Sequence, residues 1–411
     1  MSSRYAERVL TVQEARDRIL ARIPTLEPEE IPIESAAGRV LAEDITSGWD
    51  VPPFANSAMD GYALRSADIR AATPDRPIAL RVIGEVQAGH PPPSSVVTGT
   101  ALRIMTGAML PEGADAIVRV EDTQERDHQV EVRVAVGAGT SVRHPGSDLR
   151  AGDVVARAGQ VLTPGLVGVI ASAGRAAVRC VRRPRVLLLS TGDELRPAGE
   201  PLGPGQITNS NRYTLRAAVE DAHGVVVDAG VAKDDRQALE AGLARASTVD
   251  LILTTGGVSM GSYDLVRRLL EEHDSMDFWQ VALRPGKPLA FGSVAGVPLI
   301  GLPGNPVSAL VGFELFGRPA VLKLQGRTDL LRPRQRAITD DPLTGPPHLE
   351  HYFRGIARRT ESGLAVRLTG DQGSHVLRSM ADANCLIVMP QGNGSVPAGA
   401  AVDIIPLAPI P

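Results

Sequence analysis

The sequence is poor in the residues that build disulfide scaffolds, zinc sites and membrane spans. Of its 411 residues only 2 are cysteines, Cys180 and Cys385, and they stand far apart without CxxC or Cys/His spacing. This spacing argues against a disulfide framework or a structural zinc site. No apolar run reaches membrane-spanning length, and the opening segment MSSRYAERVL lacks the apolar core of a signal peptide. We therefore expect a soluble, cytoplasmic protein that makes no membrane contact.

The sequence also lacks a large excess of positive or negative charge, and it has few aromatic residues. The net charge is −4 and no broad basic face is indicated, so nucleic acid is not expected as a partner. Aromatic residues make up 3% of the chain, whereas glycine and proline number 42 and 32. This composition favours many turns and β-rich modules beside an α/β core. The length exceeds what one core supports, which predicts about two to four domains.

The order of patterns along the chain places an α/β region between β-rich modules. Thr11 precedes apolar residues at helical spacing, and Pro24 would stop that helix. Residues 31–161 contain short apolar runs separated by Gly/Pro turns, a pattern typical of a mostly β region. From Pro184 onward strands alternate with helices, which indicates a parallel sheet. Residues 331–411 return to short strands and suggest a small barrel.

The segment LILTTGGVSMGSYD, residues 251–264, carries the clearest binding signal. A buried strand that runs into glycines and restarts as a helix aims backbone N–H groups and the positive end of a helix dipole at one point. The sequence therefore predicts an anion site here, with Asp264 in the first helical turn as a candidate cation ligand. The binding residues assigned to this loop are Thr255, Gly256, Gly257, Ser259 and Gly261.

Three further segments are expected at the same crevice: RVLLLSTGDEL (185–195), RPGKP (284–288) and LPGNPVSAL (302–310). Ligands of open α/β sheets bind outside the carboxyl ends of the strands, where the first and third segments would lie. The candidate residues in them are Ser190, Thr191, Gly192, Glu194, Arg284, Lys287, Pro303, Gly304, Asn305 and Pro306. The simpler interpretation is that glycine-rich loops after strands are only tight turns.

Acidic residues elsewhere complete a candidate site. Asp234 follows a predicted strand, although it could simply cap the next helix. Asp60, Thr106 and Asp148 lie in the segments FANSAMDGYAL, IMTGAMLPEGADAIV and GSDLRAGD, where turns of a β domain are the simpler interpretation. Together the loops, cations and acids suit a phosphate-bearing ligand with Mg²⁺. The residues leave phosphoryl transfer, nucleotidyl transfer and ligation at a phosphorylated substrate open.

Residues 257–261, GVSMG, also match the G-x-S-x-G nucleophile elbow of serine hydrolases. The elbow serine should stand on the turn directly after the strand. Here Thr255, Gly256 and Gly257 intervene before Ser259. The hydrolase interpretation is therefore not favoured.

The same segments, in this order, resemble the molybdopterin molybdenumtransferases, the MoeA family that includes the E domain of gephyrin. The resemblance rests on SAMDGYA, MTGAMLPEGADAIV, GSDLRAGD, STGDEL, TTGGVSMGSYD, RPGKP and LPGNPVSA, which cover residues 54–309. It implies insertion of molybdate into the dithiolene of adenylated molybdopterin, with release of AMP and with Mg²⁺ as cofactor. It also implies a homodimer whose cleft combines the β domain of one subunit with the α/β and barrel domains of the other. The molybdopterin adenylyltransferase is a further expected partner.

The resemblance implies a multidomain α/β plus β fold. We assign residues 1–46 and 145–178 to the N-terminal helix and an elongated linker domain, and 47–144 to an inserted β domain. Residues 179–328 would form a three-layer, molybdopterin-binding α/β domain, and 329–411 a C-terminal β-barrel. By position, the catalytic residues would be Asp60, Thr106, Glu194, Asp234 and Asp264, with Glu194 and Asp264 as metal ligands. Asp148 and the loop residues named above would bind substrate.

Two positions depart from the family pattern, since Gln280 follows Phe278-Trp279 where a basic residue is common, and Arg284 replaces a common lysine. Both changes bear on oxyanion affinity, because Arg is a bidentate fork and Lys a point charge. Two alternative functions are less favoured. The acids retained in all the cleft motifs argue against a pure scaffold or anchoring role. The SAMDGYA and MTGAMLP segments, which an isolated α/β domain would not need, argue against a nucleotide pyrophosphatase or an adenylylating enzyme.

Overall fold

The computed structural model describes residues 9–232, 236–256, 265–272 and 275–411. The chain forms two compact units. The larger comprises the chain up to Glu29, Gly38–Val40 and Val181–Pro411, and the smaller comprises Glu30–Ala37 and Leu41–Cys180. Five predicted site residues lie outside the described residues, namely Asp234, Gly257, Ser259, Gly261 and Asp264. Within the described ranges, no helix is both long and apolar enough to cross a bilayer.

The N-terminal helix α1 (Val12–Ala21) begins where the sequence predicts. The Thr11 hydroxyl accepts from the Glu14 backbone N–H at 3.1 Å, and the Glu14 carboxylate accepts from the Thr11 N–H at 2.9 Å. This reciprocal pair satisfies two N–H groups that a helix end leaves without partners. Val12, Ala15 and Ile19 are buried on one face of the helix. The helix therefore packs into the core of the larger unit along that face.

Residues 28–181 are mostly β, as predicted. The strands are β1 (Pro28–Pro32), β2 (Ile45–Thr46), β3 (Asn56–Ser57), β4 (Gly61–Leu64), β5 (Ile78–Val86), β6 (Thr100–Ile104), β7 (Ala116–Arg119), β8 (Thr123–Arg126), β9 (Gln129–Val132), β10 (Val142–Arg143), β11 (Val154–Ala156) and β12 (Ala177–Val181). Helix α2 (Pro164–Ser172) and 3₁₀ turns at Ile33–Ser35, Ser66–Ile69 and Val120–Asp122 complete this region. Six strands form a curled sheet in the order β7-β4-β6-β5-β9-β8. Its apolar side chains build the core of the smaller unit around Tyr62, Leu80 and Val118.

From Arg185 the predicted alternation of strands and helices is confirmed. The elements are β13 (Arg185–Thr191), β14 (Leu195–Arg196), β15 (Ile207–Thr208), α3 (Ser210–Asp221), β16 (Val225–Ala232), α4 (Arg236–Leu243), β17 (Leu251–Thr255), α5 (Leu265–Glu272), β18 (Met276–Gln280), β19 (Leu283–Arg284), β20 (Pro288–Val294), β21 (Val297–Leu302), α6 (Pro306–Gly312) and α7 (Arg318–Leu324). A 3₁₀ turn spans Ala246–Thr248, and a π-helical turn at Phe313–Gly317 joins α6 to α7. The sheet order is β16-β13-β17-β21-β20-β18. The first four strands of that order are parallel, so their carboxyl ends meet at one edge.

The parallel strands are buried on both faces. Leu188 and Leu253 belong to the core shared with α1, α3, α6 and α7. Leu187 and Ile252 point the other way, into the core shared with α4 and α5. Because successive strand residues face opposite sides, such strands appear in the sequence as continuous apolar runs. Truncating one of these leucines to alanine is expected to cost about 2–5 kcal/mol of stability.

The C-terminal residues form the predicted barrel. Its elements are β22 (Gln335–Thr339), β23 (Leu343–Thr344), β24 (Glu350–Thr360), β25 (Gly363–Leu368), α8 (Arg378–Asp382), β26 (Cys385–Met389), β27 (Ser395–Val396) and β28 (Ala401–Pro406). The order β24-β25-β22-β28-β26 closes because β26 also pairs with β24. The short strand β19 adds parallel to β24, with Arg284 opposite His351. This pairing joins the α/β region to the barrel within the larger unit.

Candidate active site

The carboxyl ends of β13, β17 and β21 bring three predicted loops together. The Gly256 N–H donates to the Leu302 carbonyl at 3.3 Å. A Cβ added at Gly304 would lie 3.8 Å from the Gly256 Cα. Beneath the loops, the Thr255 hydroxyl donates to the Ser190 hydroxyl at 3.1 Å, and both side chains are buried. The sheet topology thus assembles segments that lie far apart in the chain.

These loops form one side of a cleft of about 1080 Å³ between the α/β region and the barrel. We call this side the α/β wall, and its members among the predicted site residues are Thr191, Gly192, Glu194, Gly256, Arg284, Lys287, Pro303, Gly304 and Asn305. Ser190 and Thr255 lie beneath the wall, and Pro306 opens helix α6 behind it. The Asn305 side chain makes no capping bond to that helix.

Two glycines of the α/β wall use their backbone N–H groups within the sheet. The backbone N–H groups of Gly192 and Gly256 donate to the carbonyls of Ala232 and Leu302, both at 3.3 Å, instead of facing a ligand. Gly256 has φ +82°, and a Cβ there would lie 2.5 Å from the Thr191 carbonyl oxygen. Only glycine allows both this φ and this contact between two strand ends.

Gly192 controls the position of an acid. Its φ is +150°, and a Cβ there would lie 2.5 Å from one Glu194 carboxylate oxygen and 2.7 Å from the other. The Glu194 side chain therefore folds back over the Gly192 Cα while it lines the cleft. Without a side chain at residue 192, the Glu194 carboxylate has room at the edge of the sheet.

The opposite side of the cleft, the barrel wall, contains residues that the sequence analysis missed. They are Thr344, His351, Phe353, Arg354, Gln372, Ser374 and His375. The loop from β25 to α8 reaches the α/β region, since the Val307 N–H donates to the Ser374 carbonyl at 3.1 Å. This contact lies at the start of helix α6. The barrel wall is thus held directly against the α/β wall.

Arg354 is the principal charged group of the barrel wall. Its side chain is 1% exposed, although it lines the cleft. The guanidinium donates through Nε to the Ser379 hydroxyl at 3.1 Å and through Nη2 to the Gly373 carbonyl at 3.3 Å. Burial lowers the pKa of Arg354 to about 10, so the group stays charged at neutral pH. Both of these hydrogen-bond acceptors are neutral, and the charge of Asp371 acts on Arg354 from nearby. Because little solvent screens a buried cation, Arg354 can still attract an anion in the cleft.

His351 is a neutral group beside the cations. It is 2% exposed, and its Nε2 lies 3.0 Å from the Pro346 carbonyl oxygen, an arrangement that places the ring proton on Nε2. Burial lowers the pKa of His351, and the positive charge of Arg284 lowers it further. His351 is therefore an uncharged imidazole at neutral pH.

In the smaller unit the structure brings Asp60 and Thr106 together. The Thr106 backbone N–H and hydroxyl both donate to one Asp60 carboxylate oxygen at 2.7 Å. These two bonds, backbone first, hold the pKa of Asp60 below its usual range, and the charge of Arg103 contributes in the same direction. Asp148 is exposed, and its backbone N–H donates to the Val51 carbonyl at 2.9 Å. Asp60 is thus an exposed carboxylate in a fixed orientation.

The metal ligands predicted from the sequence can be placed only in part. Glu194 lies at the cleft, while Asp264 is outside the described residues. Within those residues, no three His, Cys, Asp or Glu side chains converge on a common point. Mg²⁺ bound with a phosphate uses only one or two carboxylates and keeps several waters. The exposed Glu194 carboxylate fits that mode of binding.

The fold and the cleft define a multidomain protein in which an α/β region and a β-barrel share a cleft lined by Arg284, Lys287 and Arg354. Three family models match the chain: the MoeA N-terminal region (domain I and II) over residues 10–174, a probable molybdopterin binding domain over 187–323, and the MoeA C-terminal region (domain IV) over 336–407. The chain belongs to the MoeA family of molybdopterin molybdenumtransferases.

Individual relatives match over nearly the whole chain. The molybdopterin molybdenumtransferase of Haemophilus influenzae is 40% identical over 97% of this chain and 98% of its own length. Molybdopterin molybdenumtransferase 2 of Mycobacterium tuberculosis is also 40% identical, over 96% and 98%. The crystal structure of a MoeA protein from Pyrococcus horikoshii superposes with a TM-score of 0.81 at 31% identity, covering 98% of this chain and 100% of that one.

Proposed function

We propose that this protein is a transferase of molybdenum cofactor biosynthesis that inserts molybdate into the dithiolene of adenylated molybdopterin and releases AMP. The proposal is supported chiefly by the cleft, which is lined by three cations, Arg354, Arg284 and Lys287, and by the Glu194 carboxylate. Both substrates are anions, one an oxyanion and the other a phosphate ester. A cleft with several cations and an adjacent carboxylate suits that pair of ligands.

The cations divide between two environments. Arg354 is buried and its guanidinium donates to neutral acceptors, so solvent screens its charge little when an anion excludes water from the cleft, although Asp371 lies near enough to interact with it. Arg284 and Lys287 are exposed at the cleft entrance. Their charges are partly screened by solvent and serve to attract and orient the anionic substrates. We propose that Arg354 binds the anion that reacts, and that Arg284 and Lys287 attract the anions as they enter the cleft.

Glu194 would hold Mg²⁺ together with substrate phosphate oxygens and water, and from the sequence we add Asp264 as a second ligand. When bound, the ion neutralises phosphate charge. The Glu194 carboxylate would also orient the phosphate that leaves with AMP. His351, being neutral, adds no repulsion or attraction of its own toward the anions.

We infer that the enzyme acts in the cytoplasm as a homodimer in which Asp60 and Thr106 of one subunit complete the cleft of the other. The molybdopterin adenylyltransferase would then supply its substrate. Support comes from Asp60, an exposed and ionised carboxylate that two bonds from Thr106 hold in a fixed orientation. A mixture of the D60A and E194A variants tests this arrangement. At random 1:1 exchange about half of the dimers are mixed, and each has one intact cleft of two, so activity should recover to about a quarter of wild type. Exchange without recovery would disprove the shared cleft.

The transferase proposal is tested by incubating the protein with adenylated molybdopterin, molybdate and Mg²⁺ and by measuring AMP release. We expect release to depend on molybdate and to fall sharply in E194Q, which keeps the shape of the side chain and removes its charge. Absence of molybdate-dependent AMP release from folded wild-type protein would contradict the proposal.

A further inference from the structure

The barrel core opens onto the cleft. Leu343 belongs to that core, and the partly buried Phe353 and Leu368 pack against it. All three side chains also line the cleft. Together with Pro342, Leu349 and His351 they form what we call the barrel-end pocket. The cleft therefore has a cationic part, lined by Arg284, Lys287 and Arg354, and an apolar part inside the end of the barrel.

The barrel-end pocket contains an ordered aromatic pair. Phe353 and His351 stand two residues apart on β24, so their side chains project to the same face of the strand. Their ring centroids are 5.6 Å apart and the ring planes differ by 15°, which is a stacked arrangement. The His351 ring is fixed by its bond to the Pro346 carbonyl and by Gly345, where a Cβ would lie 2.1 Å from the imidazole. Phe353 is thus supported by an immobile ring.

The size and lining of the cleft suit a ligand with two chemical parts. Ligand pockets commonly measure roughly 300–1000 Å³, and this cleft, at about 1080 Å³, is slightly larger than that range. Molybdate or phosphate alone would occupy only the cationic part and leave the barrel-end pocket wet. Filling both parts takes a molecule that is anionic at one end and flat and weakly polar at the other. Aromatic stacking is the interaction that Phe353 offers to such a flat group.

We infer that the barrel-end pocket binds the planar nitrogen-heteroaromatic ring of the substrate, with Phe353 as its stacking platform. The inference rests on the proposed function, because adenylated molybdopterin carries two such rings, the pterin and the adenine. It makes Phe353 a specificity-determining residue. His351 is a positioning residue that acts through Phe353.

Equilibrium binding of three probes, AMP, hydroxymethylpterin phosphate and inorganic phosphate, tests the inference without any turnover. F353L keeps an apolar side chain but removes the flat ring, and F353Y keeps both. We expect F353L to bind AMP or the pterin phosphate about five- to tenfold more weakly. It should bind inorganic phosphate as wild type does, and F353Y should match wild type for all three. The ring ligand that loses affinity identifies which ring occupies the pocket.

Two outcomes would overturn the inference: a loss below about threefold for both ring ligands, or an equal loss for inorganic phosphate. F353W gives an independent reading if F353L does not fold. A ring stacked on the new indole should change its fluorescence beyond the change seen in wild type, whereas phosphate should not. No ring-dependent change would again contradict the inference. Failure of AMP release in wild-type protein would instead disprove the transferase proposal and leave these binding results standing.

Discussion

The α/β wall and the barrel wall face the same cleft but are built in different ways. The α/β wall consists mainly of tight turns at strand ends, where glycines allow backbone segments to touch. The barrel wall consists of side chains from β24 and from the loop before α8, led by the buried Arg354. The first wall therefore depends on backbone geometry and the second on side-chain chemistry. Substitutions on the α/β wall should therefore act by changing backbone geometry, and substitutions on the barrel wall by changing side-chain charge.

The largest effect is expected at the buried cation of the barrel wall. R354Q removes a charge that solvent does not screen, and we expect AMP release to fall about 10²–10³-fold, the scale seen when one oxyanion donor is lost. R284Q, the same exchange on the exposed α/β wall, should cost about tenfold because solvent already weakens that charge. Melting temperatures of both variants provide the folding control. Equal losses in the two folded variants would show that burial does not distinguish the two cations.

The contrast between the walls also explains what the sequence could predict. Glycine loops after apolar strands follow from local pattern, so the sequence alone places Thr191, Gly192, Gly256 and Gly304 at one crevice. Arg354 has no such local signal, since it is one basic residue among 43 and lies inside an ordinary strand. Its position at the cleft depends on barrel closure and on the pairing of β19 with β24. The spacing of residues along the sequence does not reveal which distant strands pair, or in which register.

The sequence predicts free backbone N–H groups in the loop of residues 251–264, and residues 257–264 of that loop lie outside the described residues. Two described glycines at the strand ends, Gly192 and Gly256, use their N–H groups within the sheet. Both N–H groups donate to carbonyls of neighbouring strands. The backbone hydrogen bonds of the parallel sheet continue for one residue beyond the ends of β13 and β17. The local sequence pattern does not reveal this continuation. The expectation of an α/β region between β-rich modules, which rests on the order of patterns along the chain, was confirmed. The boundaries of the four domains and the roles of Asp234 and Asp264 stay predictions.

Backbone geometry on the α/β wall can be tested with a pair of glycine substitutions. G256A forces an alanine to φ +82° and against the Thr191 carbonyl, so we expect about 1–3 kcal/mol lower stability in chemical denaturation. G304A is the matched control, because its Cβ would meet only ordinary van der Waals contact at 3.8 Å. Its change should stay within about 0.5 kcal/mol. Similar unfolding midpoints for the two variants would contradict the close approach of the strand ends.

A smaller and more specific effect is expected at Gly192. G192A should displace the Glu194 carboxylate, so the Mg²⁺ concentration for half-maximal AMP release should rise about tenfold. G199A controls for backbone strain, since Gly199 has φ +90° with nothing within 4 Å of an added Cβ. The Mg²⁺ dependence of G199A should match wild type. A parallel shift in both variants would attribute the effect to strain and remove the positioning role of Gly192.

The smallest effect lies in the smaller unit, where no buried charge is involved. Two bonds from Thr106 hold the pKa of Asp60 below its usual value, and T106V removes the hydroxyl but keeps the backbone bond. The pKa of Asp60 should therefore rise toward the ordinary value of about 3.9. A carboxylate with a depressed pKa stabilises the fold above its unfolded pKa, and that contribution is lost as the pH falls through the folded pKa. T106V should thus lose this small contribution at a higher pH than wild type, and T106S should not. Carboxyl ¹³C titration of Asp60 by NMR measures the shift directly, and identical titration curves for T106V and wild type would mean that the hydroxyl does not hold the carboxylate in solution.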